Sequence, residues 1–103
     1  MAYRVEFRPG AENDLDNLFR QLVQQAPLRG PEWVSGLEDS IYSLAEMPYR
    51  CPIARRYSRP SVDVRQLLYG RDPNVYKIYF TIESHTDLAV RQSGRDFSRN
   101  KEC

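Results

Sequence analysis

Three segments in the second half of this 103-residue chain decide its fold: VDVRQLLYG (62–70), NVYKIYFTIES (74–84) and DLAVRQSGRD (87–96). Each alternates apolar and polar residues, as in a β-strand with one buried face, because successive side chains on a strand point to opposite sides. The set predicted to face a core is Val64, Leu68, Ile78, Phe80, Ile82, Leu88 and Val90. The set predicted to share the other face is Arg65, Tyr69, Lys77, Tyr79 and Arg91. The pattern therefore predicts a basic, aromatic surface on an open sheet face.

The short connections between these segments predict an antiparallel meander. We expect strands over residues 63–69, 74–83 and 87–92, joined by the stretches GRDPN and SHT. Connections of this length suit neighbouring antiparallel strands. The polar tail, GRDFSRNKEC (94–103), is expected to fray.

The first half of the chain predicts one strand and two helices. Residues 3–8 alternate as YRVEFR, with the aromatic and valine side chains inward, and Pro9-Gly10 is expected to end this strand. A helix over residues 11–26 follows, since Ala11, Leu15, Leu18, Leu22 and Ala26 recur at helical spacing. A second helix starts at Pro31, which suits a first turn, and stops near residue 47 because Pro48 follows. Its apolar stripe is Trp33, Leu37, Ile41 and Leu44, with the tryptophan as a core anchor.

This order of elements predicts a single α+β domain over residues 1–103. The N-terminal strand and the three-strand meander would form one mainly antiparallel sheet, with the helical hairpin packed on one face and the other face partly open. A chain of this length has room for one hydrophobic core.

The net charge, the cysteines and the lack of long apolar segments limit the kinds of function expected for this chain. The net charge of +1 means that any attraction for a polyanion must come from local clustering, as in the arginine-rich stretch YRCPIARRYSRPS (49–61). Those four arginines suit either a solvated loop or a patch for phosphate or a partner. Cys51 and Cys103 match neither a disulfide framework nor a metal-ligand spacing, so we expect no metal or cofactor and a reducing cytoplasm. No segment is long and apolar enough to cross a bilayer, and the N-terminus lacks a signal peptide's apolar stretch.

Three stretches together resemble the ParE/RelE superfamily of bacterial toxins from type II toxin–antitoxin systems. They are YRVEFRPGAENDLDNL (3–18), WVSGLEDSIYSLAEMPYRCP (33–52) and the late pattern VRQLLYG…YKIYF…LAVRQSGR. The resemblance implies a cytoplasmic toxin held inactive by a cognate antitoxin protein, with a toxin–antitoxin hetero-oligomer among the expected assemblies. ParE-like members are associated with poisoning DNA gyrase, whereas RelE-like members cleave messenger RNA on the ribosome. Fold alone does not choose between these activities.

A RelE-like nuclease requires a base, a cation for the phosphorane and an acid. The resemblance implies Arg65 and Arg91 as the phosphate-stabilising pair, with Lys77, Tyr79 or Tyr69 for proton transfer. Tyrosine and lysine have pKa values well above neutrality, so either would need strong tuning to act as a base. The single histidine, His85, lies in a predicted turn, where such a side chain is usually solvated.

Two further features of the sequence bear on this choice. Many relatives carry a histidine after the last strand, where this chain reads Gln92-Ser93-Gly94-Arg95. The alternative to a functional role for Arg65 and Arg91 is a structural one. Each would then be a surface residue paired with Glu6 or Asp63, and each pair would contribute about 0–1 kcal/mol to stability. The scarcity of acids and bases favours the ParE-like branch.

A ParE-like toxin needs contact surfaces rather than a catalytic set. The predicted contact residues for target or antitoxin are Arg65, Tyr69, Arg71, Lys77, Tyr79, Arg91, Arg95, Phe19 and Tyr42. Val23 and Val34 are further apolar residues off the helix stripes, and a wide core stripe is the preferred interpretation for Val34. The sequence therefore predicts an antitoxin-neutralised toxin that binds DNA gyrase. The alternatives are a ribosome-dependent mRNA endoribonuclease and a non-toxic interaction protein that retains the fold.

Overall fold

The fold is a four-stranded sheet covered on one side by two helices. The computed structural model describes residues 2–70 and 75–95, without the side chain of Arg95. Its main elements are β1 (Arg4–Phe7), α1 (Pro9–Gln25), α2 (Gly30–Tyr42), β2 (Val64–Tyr69), β3 (Tyr76–Ile82) and β4 (Asp87–Arg95). The strand order is β1-β4-β3-β2, with β1 parallel to β4 and the other pairs antiparallel. The predicted α+β class and element order are confirmed.

Several element boundaries differ from the prediction. Pro9 begins α1 instead of ending β1, because a first-turn proline lacks only an N–H that would be unpaired there. α2 ends at Tyr42 and continues as the 3₁₀ turn Ser43–Ala45, short of the predicted residue 47. β4 runs three residues past its predicted end at Gln92 to Arg95. The predicted start of β3 at residue 74 and most of the predicted fraying tail, 96–103, lie outside the described residues.

The helical hairpin is held tightly by a glycine at its turn. A Cβ atom at Gly30 would lie 2.6 Å from the carbonyl oxygen of Leu22, closer than a real Cβ contact allows. The amide of Gly30 also donates to the carbonyl of Ala26 at 2.7 Å. The absence of a side chain therefore lets the two helices approach each other at this point.

The core lies between the hairpin and the sheet. Its fully buried side chains include Leu37, Ile41 and Leu44 from the second stripe and Ile78, Phe80, Leu88 and Val90 from the strands. The side chains of Tyr3, Val5, Phe7, Trp33 and Ile82 pack against this cluster while keeping some exposure. The predicted core faces of both helices, β1, β3 and β4 are thus confirmed.

The predicted frame of β2 is wrong by one residue. Leu68 is 52% exposed, and Leu67, opposite Ile78, packs against the core. A one-residue change of register moves every side chain of a strand to the opposite face. Arg65, opposite the fully buried Phe80, therefore lies on the helix side of the sheet.

The arginine-rich stretch is ordered and folds over the sheet. The amide of Ala54 donates to Val64 at 2.7 Å, and that of Gln66 donates to Pro52 at 3.0 Å, so residues 52–54 pair with the outer edge of β2. The chain then continues through the 3₁₀ turn Arg55–Tyr57. Val64 is buried as predicted, but beneath this stretch on the side away from the helices.

Neither helix in the described part of the chain combines the length and hydrophobicity that spanning a bilayer requires.

Candidate functional site

The face of the sheet away from the helices carries three of the five predicted surface residues. Lys77 pairs across the sheet with Leu68 and Gly94, and Tyr79 pairs with Gln66 and Gln92. Between the pairs Tyr79–Gln92 and Phe80–Val90 the register shifts, which leaves Arg91 as the extra residue of a β-bulge. We call this side of the sheet the open face.

Arg65 does not join this group. Its Nη1 donates to the carbonyl oxygens of Cys51 at 2.6 Å and Tyr49 at 3.4 Å, and its guanidinium carbon lies 5.0 Å from the centre of the Tyr49 ring. These partners replace the carboxylates that the sequence suggested, and Glu6 pairs instead with Arg4 Nε at 3.3 Å. Arg65 therefore ties the turn before residue 52 to the edge of the sheet.

Tyr69 also lies on the helix side, contrary to its predicted place on the open face. Its hydroxyl donates to the carbonyl of Trp33 at 3.1 Å, and the two rings form an edge contact with centroids 4.9 Å apart. The hydroxyl lies so close to Gly36 that no other residue would fit there without a shift. Trp33 is confirmed as a core anchor, and Tyr69 packs beside it.

Arg91 belongs to a charge network with a carboxylate between two arginines. Its Nε donates to Thr81 Oγ1 at 3.0 Å, and its Nη2 lies 3.4 Å from Glu83 Oε2. Arg8 Nη2 contacts the other carboxylate oxygen of Glu83 at 3.5 Å, and the Thr81 hydroxyl donates to Glu83. The hydroxyl and then the two arginines lower the pKa of Glu83, while partial burial opposes them. The network favours the ionised form of Glu83 and holds the Arg91 guanidinium in place.

Two concave sites flank Arg91. The first, which we call the aromatic cup, has a volume of about 520 Å³ and is lined by residues that include Tyr57, Arg59, Val64, Tyr79, Arg91 and Gln92. The second, the end groove, has a volume of about 370 Å³ and includes Arg65 and Arg91 together with Asp63 and Glu83. The cup is thus basic and aromatic, whereas the end groove has charges of both signs.

The predicted helix contacts divide into a buried and an exposed group. Val34 is buried, as its core interpretation predicted, whereas Phe19 is 45% and Tyr42 55% exposed. The Tyr42 ring makes an edge contact with Phe7 at a centroid distance of 5.9 Å. Phe19 and Tyr42 therefore remain candidates for a partner surface on the helix side.

The remaining sequence candidates lie apart from these sites. His85 is exposed in the turn before β4. Arg71 lies outside the described residues, and so does the side chain of Arg95. Within residues 2–70 and 75–95, no group of three histidine, cysteine or acidic side chains is arranged to hold a metal ion.

Sequence analysis missed Glu83, Thr81 and Tyr57 as parts of the site. The apolar alternation of β3 continues to residue 82, so Thr81 and Glu83 fall on the face of Tyr79, and that signal was present in the sequence. Tyr57 lies in a stretch without a period, and only the fold brings its ring centroid to 4.6 Å from that of Tyr79.

Comparison with known proteins places this geometry in a family. A solved structure of the chromosomal ParDE toxin–antitoxin system from P. aeruginosa is similar, with a TM-score of 0.70 and 18% identity, covering 91% of this chain and 96% of that chain. No curated protein shows significant similarity to the sequence. The profile of the ParE toxin of the type II toxin–antitoxin system, parDE, matches residues 5–96. The chain therefore belongs to the ParE toxin family of type II toxin–antitoxin systems.

Proposed function

We propose that this ParE-family toxin arrests growth by binding DNA gyrase, without hydrolytic chemistry of its own, and that a cognate antitoxin neutralises it. The position of Arg65 carries the choice of binding over cleavage. A nuclease mechanism would use Arg65, Lys77, Tyr79 and Arg91 together, but Arg65 lies on the helix side with carbonyl oxygens as partners. Arg65 and Arg91 both line the end groove, but Asp63 and Glu83 share that groove and Arg65 Nη1 donates to a main-chain carbonyl, which does not favour a phosphate bound between the two arginines.

The candidate proton-transfer groups are also dispersed. His85 is exposed in the turn before β4, Lys77 lines neither the aromatic cup nor the end groove, and Tyr69 donates to the carbonyl of Trp33 on the helix side, which leaves Tyr79 beside Arg91 in the cup. General acid–base catalysis requires groups within hydrogen-bonding reach of the reacting atoms. A contact surface has no such requirement, and the open face offers arginine and tyrosine side chains of the kind that dominate protein interfaces.

The charge network and the exposed aromatics support antitoxin binding. Arg8 and Arg91 flank a single carboxylate, so this part of the open face keeps a positive excess that suits an acidic segment. On the helix side, Phe19 and Tyr42 are large exposed side chains that an apolar partner helix would cover.

Induction of the chain alone tests the gyrase target. We expect growth arrest with loss of plasmid supercoiling and a DNA-damage response before protein synthesis falls. The purified protein should inhibit gyrase supercoiling in vitro, and co-expression of the neighbouring gene should restore growth. Early arrest of translation with transcripts cut at the ribosome would replace this proposal with the nuclease alternative. Absence of any growth defect would favour the non-toxic interaction protein.

Arg91→Ala tests the contact surface itself. Because the Arg91 side chain is 43% exposed, its removal should change the stability by only about 0–1 kcal/mol, while growth arrest and gyrase inhibition should be lost. Arg4→Ala is the matched control, since Arg4 is also a strand arginine in an exposed ion pair, here with Asp87 at 2.9 Å. Equal toxicity of both variants would contradict a role for the Arg91 surface.

A further inference from the structure

The aromatic cup has a wall fixed by its own hydrogen bonds. Ser58 Oγ accepts from the amide of Val64 at 2.9 Å and donates to the carbonyl of Ala54 at 3.0 Å. Arg59 and Val62 exchange two backbone hydrogen bonds of 2.9 and 3.0 Å. These hydrogen bonds fix the position of the arginine-rich stretch over β2, so the cavity beneath it is part of the folded structure.

The lining of the cup combines three kinds of chemistry. The rings of Tyr57 and Tyr79 meet at a centroid distance of 4.6 Å and an angle of 58°, and Tyr57 remains 42% exposed. Arg59 and Arg91 contribute guanidinium groups, and Gln92 contributes an amide that both donates and accepts. Among the described residues, no carboxylate lines the cup. The cup therefore favours a ligand with an anionic group and a planar polar ring.

We infer that the aromatic cup binds a nucleotide unit of a single-stranded nucleic acid, with the base stacked on the tyrosines and the phosphate paired with Arg59 and Arg91. Aromatic platforms beside basic grooves bind single strands in this way, because every base has a π-face and every nucleotide a phosphate. Arg59 suits the phosphate, since the planar fork of an arginine forms charge-assisted hydrogen bonds to two oxygens. Arg91, whose Nε and Nη2 contact Thr81 and Glu83, contributes its charge and the remaining Nη1. The volume of about 520 Å³ falls within the range of small-ligand sites, about 300–1,000 Å³.

The geometry distinguishes this ligand from two competitors. A duplex keeps its bases stacked internally, so it offers no base face to the tyrosines. An acidic peptide would use the arginines but would leave the partly exposed Tyr57 ring without an aromatic group to stack on it. The inference goes beyond the gyrase proposal, because it concerns direct binding of nucleic acid and requires no cleavage.

Fluorescence anisotropy with the full-length protein tests the inference. The probes are labelled ten-nucleotide oligo-dT and oligo-rU, a duplex of equal length and an acidic peptide of equal charge. We expect at least about tenfold tighter binding of the single strands than of the duplex or peptide. Tyr57→Ala should weaken single-strand binding by about 5- to 150-fold, which corresponds to the loss of one stacked base. Arg59→Ala should weaken it and reduce the slope of log K against log salt by about one.

The controls separate this inference from the proposed function. Tyr49→Ala and Arg4→Ala remove an exposed tyrosine and an exposed arginine outside the cup and should leave oligonucleotide binding unchanged. Tyr57→Phe should retain binding and Tyr57→Leu should lose it, with the thermal midpoint recorded for each. Equal affinity for duplex or peptide, or an unchanged affinity in Tyr57→Ala and Tyr57→Leu, would overturn the inference. Full competition by free thymidine monophosphate at the affinity of the decamer would overturn the single-strand assignment. Gyrase inhibition is measured separately and does not enter these outcomes.

Discussion

At the residue scale, two arginines of the same predicted role have different partners. Arg65 donates to main-chain carbonyls of a preceding turn, whereas Arg91 contacts Thr81 and Glu83 on the open face. Carbonyl partners are supplied by residues that the fold brings near, so strand alternation cannot reveal them. The carboxylate partner of Arg91 is Glu83, the residue directly after β3, and the alternation of that strand continued by one residue already places it on the same face.

Glu83→Gln tests the charge network through its pH dependence. The folded state lowers the pKa of Glu83, so the stabilisation by ionised Glu83 is complete above its unfolded value, about 4.3, and is lost as pH falls through the lower folded value. The variant should therefore be less stable than wild type at pH 7, and this difference should shrink as pH falls from about 5 to 3. Urea unfolding at a series of pH values measures it.

Glu38→Gln, at an exposed position of α2, is the control for the network test. It should show neither the deficit at pH 7 nor its disappearance in acid. A deficit of Glu83→Gln that stays constant down to pH 3 would mean that packing of the side chain, rather than its charge, stabilises the protein.

At the element scale, the apolar pattern of β2 did not determine which face of the strand is buried. β3 and β4 each contain apolar residues that recur at every second position, and their frames were predicted correctly. β2 contains the adjacent leucines Leu67 and Leu68, and either can begin an alternating set. Pairing of Leu67 with Ile78 selects the frame, and this is a tertiary contact.

The hairpin glycine provides a test in which steric contact opposes helix propensity. Alanine is normally favoured over glycine in a helix by about 1 kcal/mol. Gly30→Ala should nevertheless destabilise the protein, by about 1–3 kcal/mol, because the new methyl group would meet the backbone of Leu22. Chemical denaturation measures the change.

Gly94→Ala is the matched control for the hairpin test. A Cβ atom at Gly94 would meet nothing within 4 Å, so stability should change by no more than about 0.5 kcal/mol. A neutral or stabilising Gly30→Ala would show that the two helices can separate without cost.

At the scale of the whole molecule, one face of the sheet carries the core and the other carries Arg91 and the aromatic cup. The element order and the core of the helix hairpin followed from periodicity, because burial imposes a period of 3.6 or 2 on apolar residues. The aromatic cup did not, because its wall is an aperiodic stretch whose position depends on hydrogen bonds to β2. Three of the five residues predicted for the open face lie there, whereas Arg65 and Tyr69 lie on the helix side and Tyr57 was not predicted.

Leu37→Ala measures the core on the helix side. Leu37 is fully buried, so its truncation should cost about 2–5 kcal/mol. Leu68→Ala is the companion variant and should cost no more than about 0.5 kcal/mol, since that side chain is half exposed. Equilibrium denaturation of both variants tests the corrected frame of β2. A large loss of stability in Leu68→Ala would support the predicted frame, in which Leu68 faces the core.

Pairing of residues 52–54 with β2 also affects how copies of the protein meet. An exposed strand edge has unpaired N–H and C=O groups that recruit further strands, which is a common route to aggregation. Here the carbonyl of Val64 and the amide of Gln66 already have partners within the chain. The part of this edge formed by residues 64–66 is therefore closed to strand addition, so two free copies cannot pair their sheets edge to edge through it.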